Sequence, residues 1–278
     1  MSNPAWSPDG TMLAWLTGND TVIIWDMSTN QSQYFQFERQ FDCLDGPLQW
    51  SQDGRKIFVQ GDGVVFDVKQ KVFLDPLQLH RSLDDRCFNW SPDGKYVAYK
   101  SVFLKDSSGY HRHVMILQND QVVFTSDLEV DLDVPLQWSP GSSILAWAAS
   151  DPEWSRYKLA LTNTTGHSTR YVTFGRGIFG ISTIAWSPSG NQIAVRFWDA
   201  LQIVNLSSIV SSDTDVTIQK DNLTLQGSSP QRSSPKGLSW SPDEQYIAYE
   251  TNLEPYSQIW ILEPSTNVQI PLTSRYGD

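Results

Sequence analysis

An all-β chain of six four-stranded antiparallel sheets is what this sequence predicts, on three observations. The first is a stretch that recurs six times, typified by FNWSPDGKYVAYK from Phe88 to Lys100. Its relatives read NPAWSPDGTMLAWL from Asn3, PLQWSQDGRKIFVQ from Pro47, PLQWSPGSSILAWA from Pro135, TIAWSPSGNQIAVR from Thr183 and GLSWSPDEQYIAYE from Gly237. The second is a strict register. The motif residues Trp6, Trp50, Trp90, Trp138, Trp186 and Trp240 are followed eight positions later by Ala14, Phe58, Ala98, Ala146, Ala194 and Ala248. The third is the interval between the tryptophans, which is 44, 40, 48, 48 and 54 residues. Such a period fits one propeller blade, since a lone four-stranded sheet cannot bury both of its faces.

Each unit reads as a β-hairpin. In Ser-Pro-Asp-Gly, Pro92 presets φ for the first corner and Asp93 is placed to bond neighbouring backbone. Gly94 supplies the left-handed residue of a bulged loop. The run Tyr96-Val-Ala-Tyr that follows is apolar on both faces, as a strand buried on both faces must be. Alanine at five of the six register positions suits a close approach of neighbouring sheets. The copies differ at Gln52, at Gly141 (one place early), at Ser189 and at Glu244, which stands where the turn wants glycine. The stretch from Trp240 through Asp278 and on from Met1 to Trp6 is again 44 residues, so the ring is expected to close without a shared blade.

The W-S-P-D-G-x-x-x-A pattern resembles the TolB-type propeller repeat, a cousin of the WD repeat, over essentially the whole chain. The resemblance implies a six-bladed propeller, a place in an envelope-associated assembly and an extracytoplasmic location. It does not by itself assign a function, because function lives in sites grafted on folds.

One domain over residues 1–278 is expected, with blades at about 3–38, 47–79, 86–126, 135–174, 183–225 and 237–273. Blade one takes strands at Pro4–Ser7, Met12–Leu16, Val22–Asp26 and Ser32–Phe37. Blade two continues with Ile57–Gln60, Val64–Val68 and Val72–Leu74. Blade three carries an insertion from Leu104 to His113, and blade four a second from Ser150 to Arg156. Blade five holds a polar stretch from Ser207 to Asp215, then Val216–Gln219 and Leu223–Leu225. Blade six ends with Ile259–Glu263 and Val268–Leu272.

Composition narrows the partners. A net charge of −11 argues against nucleic acid, whose phosphates need a basic face. No apolar run is long enough for a transmembrane helix, so membrane insertion is not expected. Met-Ser-Asn-Pro lacks the basic start and apolar core of a secretory signal. A cytoplasmic protein, a mature form and a propeller excised from a larger chain all fit that start. Cys43 and Cys87 read as buried thiols, with a disulfide as the alternative.

The loops joining second to third strands, and those joining blades, share one face of a propeller. That face is expected to be acidic over the first three blades (Asp42, Asp45, Asp84, Asp85, Asp127, Glu129, Asp131, Asp133) and mildly basic later (Arg176, Arg232, Lys236). Tyr110, His111, Arg112, His113, Trp154, Trp198 and Tyr256 join it. Aromatic anchors among charges describe a protein-recognition patch. The candidate partner-binding residues are therefore Tyr110, His111, Arg112, His113, Trp154, Trp198, Tyr256, Asp127, Glu129 and Asp131.

Blander readings stand beside these. The run Asp127–Asp133 alternates charge with Leu and Val, as a connector with its apolar side packed down would. It lacks the glycine-punctuated spacing of a calcium loop. His111 and His113 share a face of an extended segment but have no evident third ligand. No G-x-S-x-G, H-E-x-x-H, phosphate loop or dinucleotide fingerprint occurs. A non-enzymatic interaction platform, without cofactor or metal, is the expectation. The alternative is an enzyme or gating propeller that uses its central channel, whose inner strands offer mostly Gln49, Asn89, Gln137 and Ser239.

Overall fold

The computed structural model describes residues 4–17, 20–37, 48–60, 63–74, 85–106, 109–119, 121–131, 134–151, 156–174, 180–197, 200–210, 215–218, 223–226, 237–251 and 258–273. The side chains of 85–87, 102–106, 109–111, 151, 156, 208 and 210 lie outside this description. The chain forms two compact units, residues 1–129 and 130–278.

The first unit holds three four-stranded antiparallel sheets among its described residues. Sheet one is β1 (Ala5–Trp6), β2 (Met12–Thr17), β3 (Thr21–Asp26) and β4 (Gln31–Gln36). Sheet two is β5 (Leu48–Trp50), β6 (Lys56–Val59), β7 (Val65–Asp67) and β8 (Val72–Leu74). Sheet three is β9 (Asp85–Trp90), β10 (Tyr96–Asp106), β11 (Gly109–Gln118) and β12 (Gln121–Thr125). In each, every strand pairs with the next in sequence, as short hairpin turns require.

The second unit departs from that pattern in its first sheet. Sheet four contains β13 (Glu129–Val130), β14 (Gln137–Trp138), β15 (Ile144–Asp151), β16 (Arg156–Asn163) and β17 (Ser168–Phe174). Both β13 and β14 pair with β15. Sheet five is β18 (Thr183–Trp186), β19 (Gln192–Arg196), β20 (Ala200–Asn205) and β22 (Leu223–Thr224). Between β20 and β22 the chain leaves its own sheet. It forms a short helix, α1 (Leu206–Val210), then β21 (Val216–Ile218), which pairs in parallel with β17 of sheet four. Sheet six is β23 (Leu238–Trp240), β24 (Ile247–Thr251), β25 (Gln258–Glu263) and β26 (Val268–Pro271).

Two expectations are corrected here. Val216–Gln219 was assigned to blade five, yet Val216–Ile218 extends sheet four to six strands, so that sheet is neither four-stranded nor wholly antiparallel. The polar stretch from Ser207 opens as helix because Leu206 and Ile209 are buried in the core between sheets four and five. The strap covers an otherwise open outer edge, where Asp215 Oδ1 accepts the Tyr171 amide at 3.1 Å.

The turns behave as their residues dictate. Gly10, Gly54, Gly94 and Gly190 have φ between 68° and 72°. In copy four the left-handed position is taken by Ser142 (φ 59°) rather than the displaced Gly141, and in copy six by Glu244 (φ 61°). The motif serine closes each turn: its hydroxyl accepts the amide six residues past the tryptophan, for example Met12 N to Ser7 Oγ at 2.8 Å. It donates to the turn aspartate, as Ser7 to Asp9, Ser51 to Asp53 and Ser91 to Asp93, each 2.7 Å. Ser189 stands in for aspartate by accepting the Asn191 amide at 3.2 Å.

The register positions also behave as read. Ala14, Ala98, Ala146 and Ala194 are fully buried and Phe58 nearly so. Within the first unit, Ala14, Val22 and Ile24 meet Trp50, Ile57 and Phe66, and Phe58 and Val65 meet Phe88, Trp90 and Tyr99. Within the second, Ala146, Leu159 and Leu161 meet Ile184, Ile193 and Val195. Ala194 and Leu201 meet Trp240, Ile247 and Tyr249. Each buried Val, Leu, Ile or Phe among them contributes on the order of 1.5–3 kcal/mol by leaving water, and each alanine methyl less than about 1 kcal/mol. Ala248 is the exception: it is only half-buried, and Ile259 and Ile270 on the same sheet, with Leu272 just past its end, are exposed.

The tryptophans do more than fill space. Trp50 Nε1 donates to Ala5 O (2.9 Å), Trp186 to Gln137 O (3.1 Å) and Trp240 to Ala185 O (3.1 Å). In each case the acceptor is the residue just before the preceding sheet's motif tryptophan. Trp90 departs, donating to Gly63 O at 3.2 Å. There Gln60 binds both Gln49 Oε1 and the Trp90 amide, each at 2.7 Å.

Candidate functional site

The insertion expected as a loop from Leu104 to His113 is a hairpin. The strands β10 and β11 run eleven and ten residues, and pair as Ser101 with His113, Leu104 with His111, Lys105 with Tyr110 and Asp106 with Gly109. A register shift between Ser101 and Leu104 marks a bulge, which twists the outer part of the ribbon relative to the sheet. Tyr110 and His111 thus sit on β11, their side chains outside the described residues. Arg112 is exposed and His113 half-buried.

His113 has a definite role. Its Nδ1 lies 2.6 Å from the Ser126 carbonyl oxygen; a carbonyl only accepts, so Nδ1 carries the proton. Ser126 accepts the Val114 amide at 3.0 Å and donates to Leu128 O at 2.8 Å. The imidazole therefore ties the hairpin to the acidic connector. Asp127 on that connector is exposed, whereas Glu129 and Asp131 are half-buried. Val130 is buried, and the Asp131 amide donates to Ala148 O at 3.0 Å. The charged side of the run faces outward while its apolar side packs down. No group of three or more metal-ligating side chains occurs among the described residues.

Trp154, Trp198 and Tyr256 lie outside the described residues, as do Cys43 and the connector charges Asp42, Asp45, Asp84, Asp133, Arg176, Arg232 and Lys236. Of Asp85 and Cys87 only the backbone is described. The second insertion repeats the pattern of the first, for β15 and β16 pair out to Asp151 with Arg156.

A concavity that no motif announced lies in the second unit. The inner strands β14, β18 and β23 enclose about 360 Å³, with Gln137, Thr183, Trp186, Ser239, Pro140 and Pro188 on its wall. None of its lining residues is titratable. Two of the four inner-strand residues expected in the channel, Gln137 and Ser239, are here. Gln49 instead bonds Gln60.

Beside it, the fully buried Arg196 donates Nη1 to Gly237 O at 3.2 Å, and its guanidinium lies 5.6 Å from the Tyr249 ring centroid. Burial lowers the Arg196 pKa to about 10, well above neutrality, so the cation persists. Burial also raises the Tyr249 phenol to about 12, and its hydroxyl donates to Gln269 Oε1 at 2.6 Å. This cluster joins sheets five and six. Glu244 does the same nearer the turns, its carboxylate accepting the Ser189 amide. Those hydrogen bonds hold its pKa below the ordinary 4.5.

The arrangement defines a class, an all-β protein of the β-propeller kind. A solved structure agrees: the β-propeller domain of Cps50 (Swd1) from Myceliophteria thermophila is similar to this chain. The TM-score is 0.62 over 96% of this chain and 84% of that one, at 14% sequence identity. At that identity the likeness concerns the fold. No family model matches the sequence, and no curated protein matches it. No helix is long and apolar enough to cross a membrane among the described residues.

Proposed function

We propose that this chain is a six-bladed, TolB-like propeller that acts as a non-enzymatic platform for a protein partner. The blade count rests on the six copies of the repeated stretch. The partner would meet Tyr110, His111, Arg112, Asp127 and Glu129, with His113 fixing the hairpin; Asp131, Trp154, Trp198 and Tyr256 are the further candidates from residues 130–278.

The observation that carries this reading is the long β10–β11 hairpin, with exposed Arg112 at its bulged part and exposed Asp127 on the connector anchored beneath. Opposite charges on a rigid scaffold favour selective association over raw affinity. An envelope-associated assembly is the setting that the resemblance to TolB suggests. Capture of a stoichiometric partner that is lost on Tyr110→Ala/His111→Ala/Arg112→Ala supports the proposal. Retention by that variant, with loss on substitution at Arg55 and Lys95 in the turns, defeats it. The second reading, channel chemistry, is weakened by an inner wall in the second unit whose lining has no group to serve as acid, base or metal ligand.

A further inference from the structure

We propose that the outer edge of sheet one, strand β4, joins two copies of this chain through an antiparallel β4–β4 ladder, a contact that uses none of the residues of the partner face. The outer edges of the described sheets are not alike. β8 has three residues and β22 two. β12 pairs with β11 through a register shift, and β26 ends in Pro271, which has no amide to offer. The edge of β17 is already taken by β21. β4 is six residues long, pairs with β3 without a shift, and carries neither charge nor proline over Gln31-Ser-Gln-Tyr-Phe-Gln. Edge strands are kept single by shortness, charges, prolines and bulges, so an edge with none of these is a template for another strand.

The groups that face outward follow from the ladder. The Phe37 amide donates to Asp20 O at 2.9 Å. Inward bonding alternates along an antiparallel pair, so Gln33 and Phe35 bond to β3 while Ser32, Tyr34 and Gln36 turn amide and carbonyl away from the sheet. Those outward backbone groups have no hydrogen-bond partner among the described residues. Tyr34, the middle one, is 68% exposed. Gln36 is exposed and Ser32 half-buried.

Symmetry selects a second copy as the occupant. A two-fold axis through Tyr34 sets Tyr34 opposite Tyr34 of the other copy and Ser32 opposite its Gln36, each pair exchanging both hydrogen bonds. The exposed tyrosines then make a cross-strand aromatic pair. Like charges directly opposite one another are destabilising, and this uncharged strand lets two copies meet without them although each chain has a net charge of −11. One strand pair buries less than a standard interface, so the dimer is of the weak, reversible kind.

The test is sedimentation velocity of the full chain across the micromolar range, with hydrogen exchange read amide by amide at both ends of that range. A reversible dimer should form as concentration rises. Exchange at Ser32, Tyr34 and Gln36 should slow with it, while Gln33 and Phe35 stay protected throughout. Tyr34→Phe should leave dissociation unchanged. Tyr34→Lys sets two ammonium groups face to face, and Tyr34→Pro removes an outward amide but no inner bond; each should weaken the dimer at least about tenfold. Circular dichroism checks the fold, and Tyr34→Lys carries the test if Tyr34→Pro fails to fold. The proposal is overturned if the chain stays monomeric at every concentration, if both variants dimerise like the wild type, or if a dimer forms while the three outward amides still exchange freely. If a monomeric chain captures a partner that Tyr34→Pro loses, the edge serves that partner and the second copy is the wrong occupant.

Discussion

Replacing Trp240 with phenylalanine isolates what the motif tryptophans contribute beyond apolar bulk. The substitution removes the indole N–H that donates to Ala185 O at 3.1 Å. It also leaves a small void, because Trp240 is buried against Ala194, Ile247 and Leu262. The hydrogen bond accounts for about 1 kcal/mol net. The lost ring atoms add about 1 kcal/mol, a fraction of the ~3–5 kcal/mol for complete truncation of such a side chain. The expected loss is thus about 2 kcal/mol, read as a lower urea midpoint with unchanged slope and a melting temperature lower by about 5 °C. Tyr34→Phe is the control: Tyr34 is 68% exposed, and its change should stay within about 0.5 kcal/mol. If Trp240→Phe is as mild as Tyr34→Phe, the indole bridges are incidental and packing alone joins the sheets.

Further outcomes follow from the same geometry. The Ser7, Ser51 and Ser241 hydroxyls hold the Asp9, Asp53 and Asp243 carboxyls below their ordinary 3.8. Their contribution is therefore complete above pH 4 and lost as pH falls through the lower folded values. Urea midpoints measured from pH 7 down to 2 should fall on the acid side, and a triple Asp→Asn variant should flatten that fall. Glu244→Gln should lower the midpoint at pH 7, by a margin that shrinks on acidification as the wild-type carboxylate is protonated; a margin independent of pH would show that the Ser189 contact is not charge-assisted. Ala146→Leu should destabilise by about 1–3 kcal/mol through overpacking of a fully buried site, checked by chemical denaturation.

What the sequence disclosed is whatever a fixed spacing can carry. Trp and Ala eight apart, with a turn between, yielded the hairpins, the buried alanines and most strand ends to within a residue or two. Val216–Ile218 escaped because three apolar residues in a strand do not say which sheet they join. The Leu104–His113 insertion escaped because the run Lys105-Asp106-Ser107-Ser108-Gly109 interrupts any apolar alternation in the sequence. Ser142 shows that a turn keeps its left-handed place even when glycine moves one position. The acceptors of the indoles are backbone carbonyls some 45 to 55 positions away, which no side-chain pattern reveals.

The most direct test of the platform reading is cross-linking mass spectrometry on a captured complex, comparing the wild-type chain with Tyr110→Ala/His111→Ala/Arg112→Ala. The account predicts cross-links from one stoichiometric partner to Lys105 and the neighbouring connectors, together with loss of that partner from the variant. Cross-links confined to Lys56, Lys69 and Lys95, with the variant still holding the partner, would contradict it.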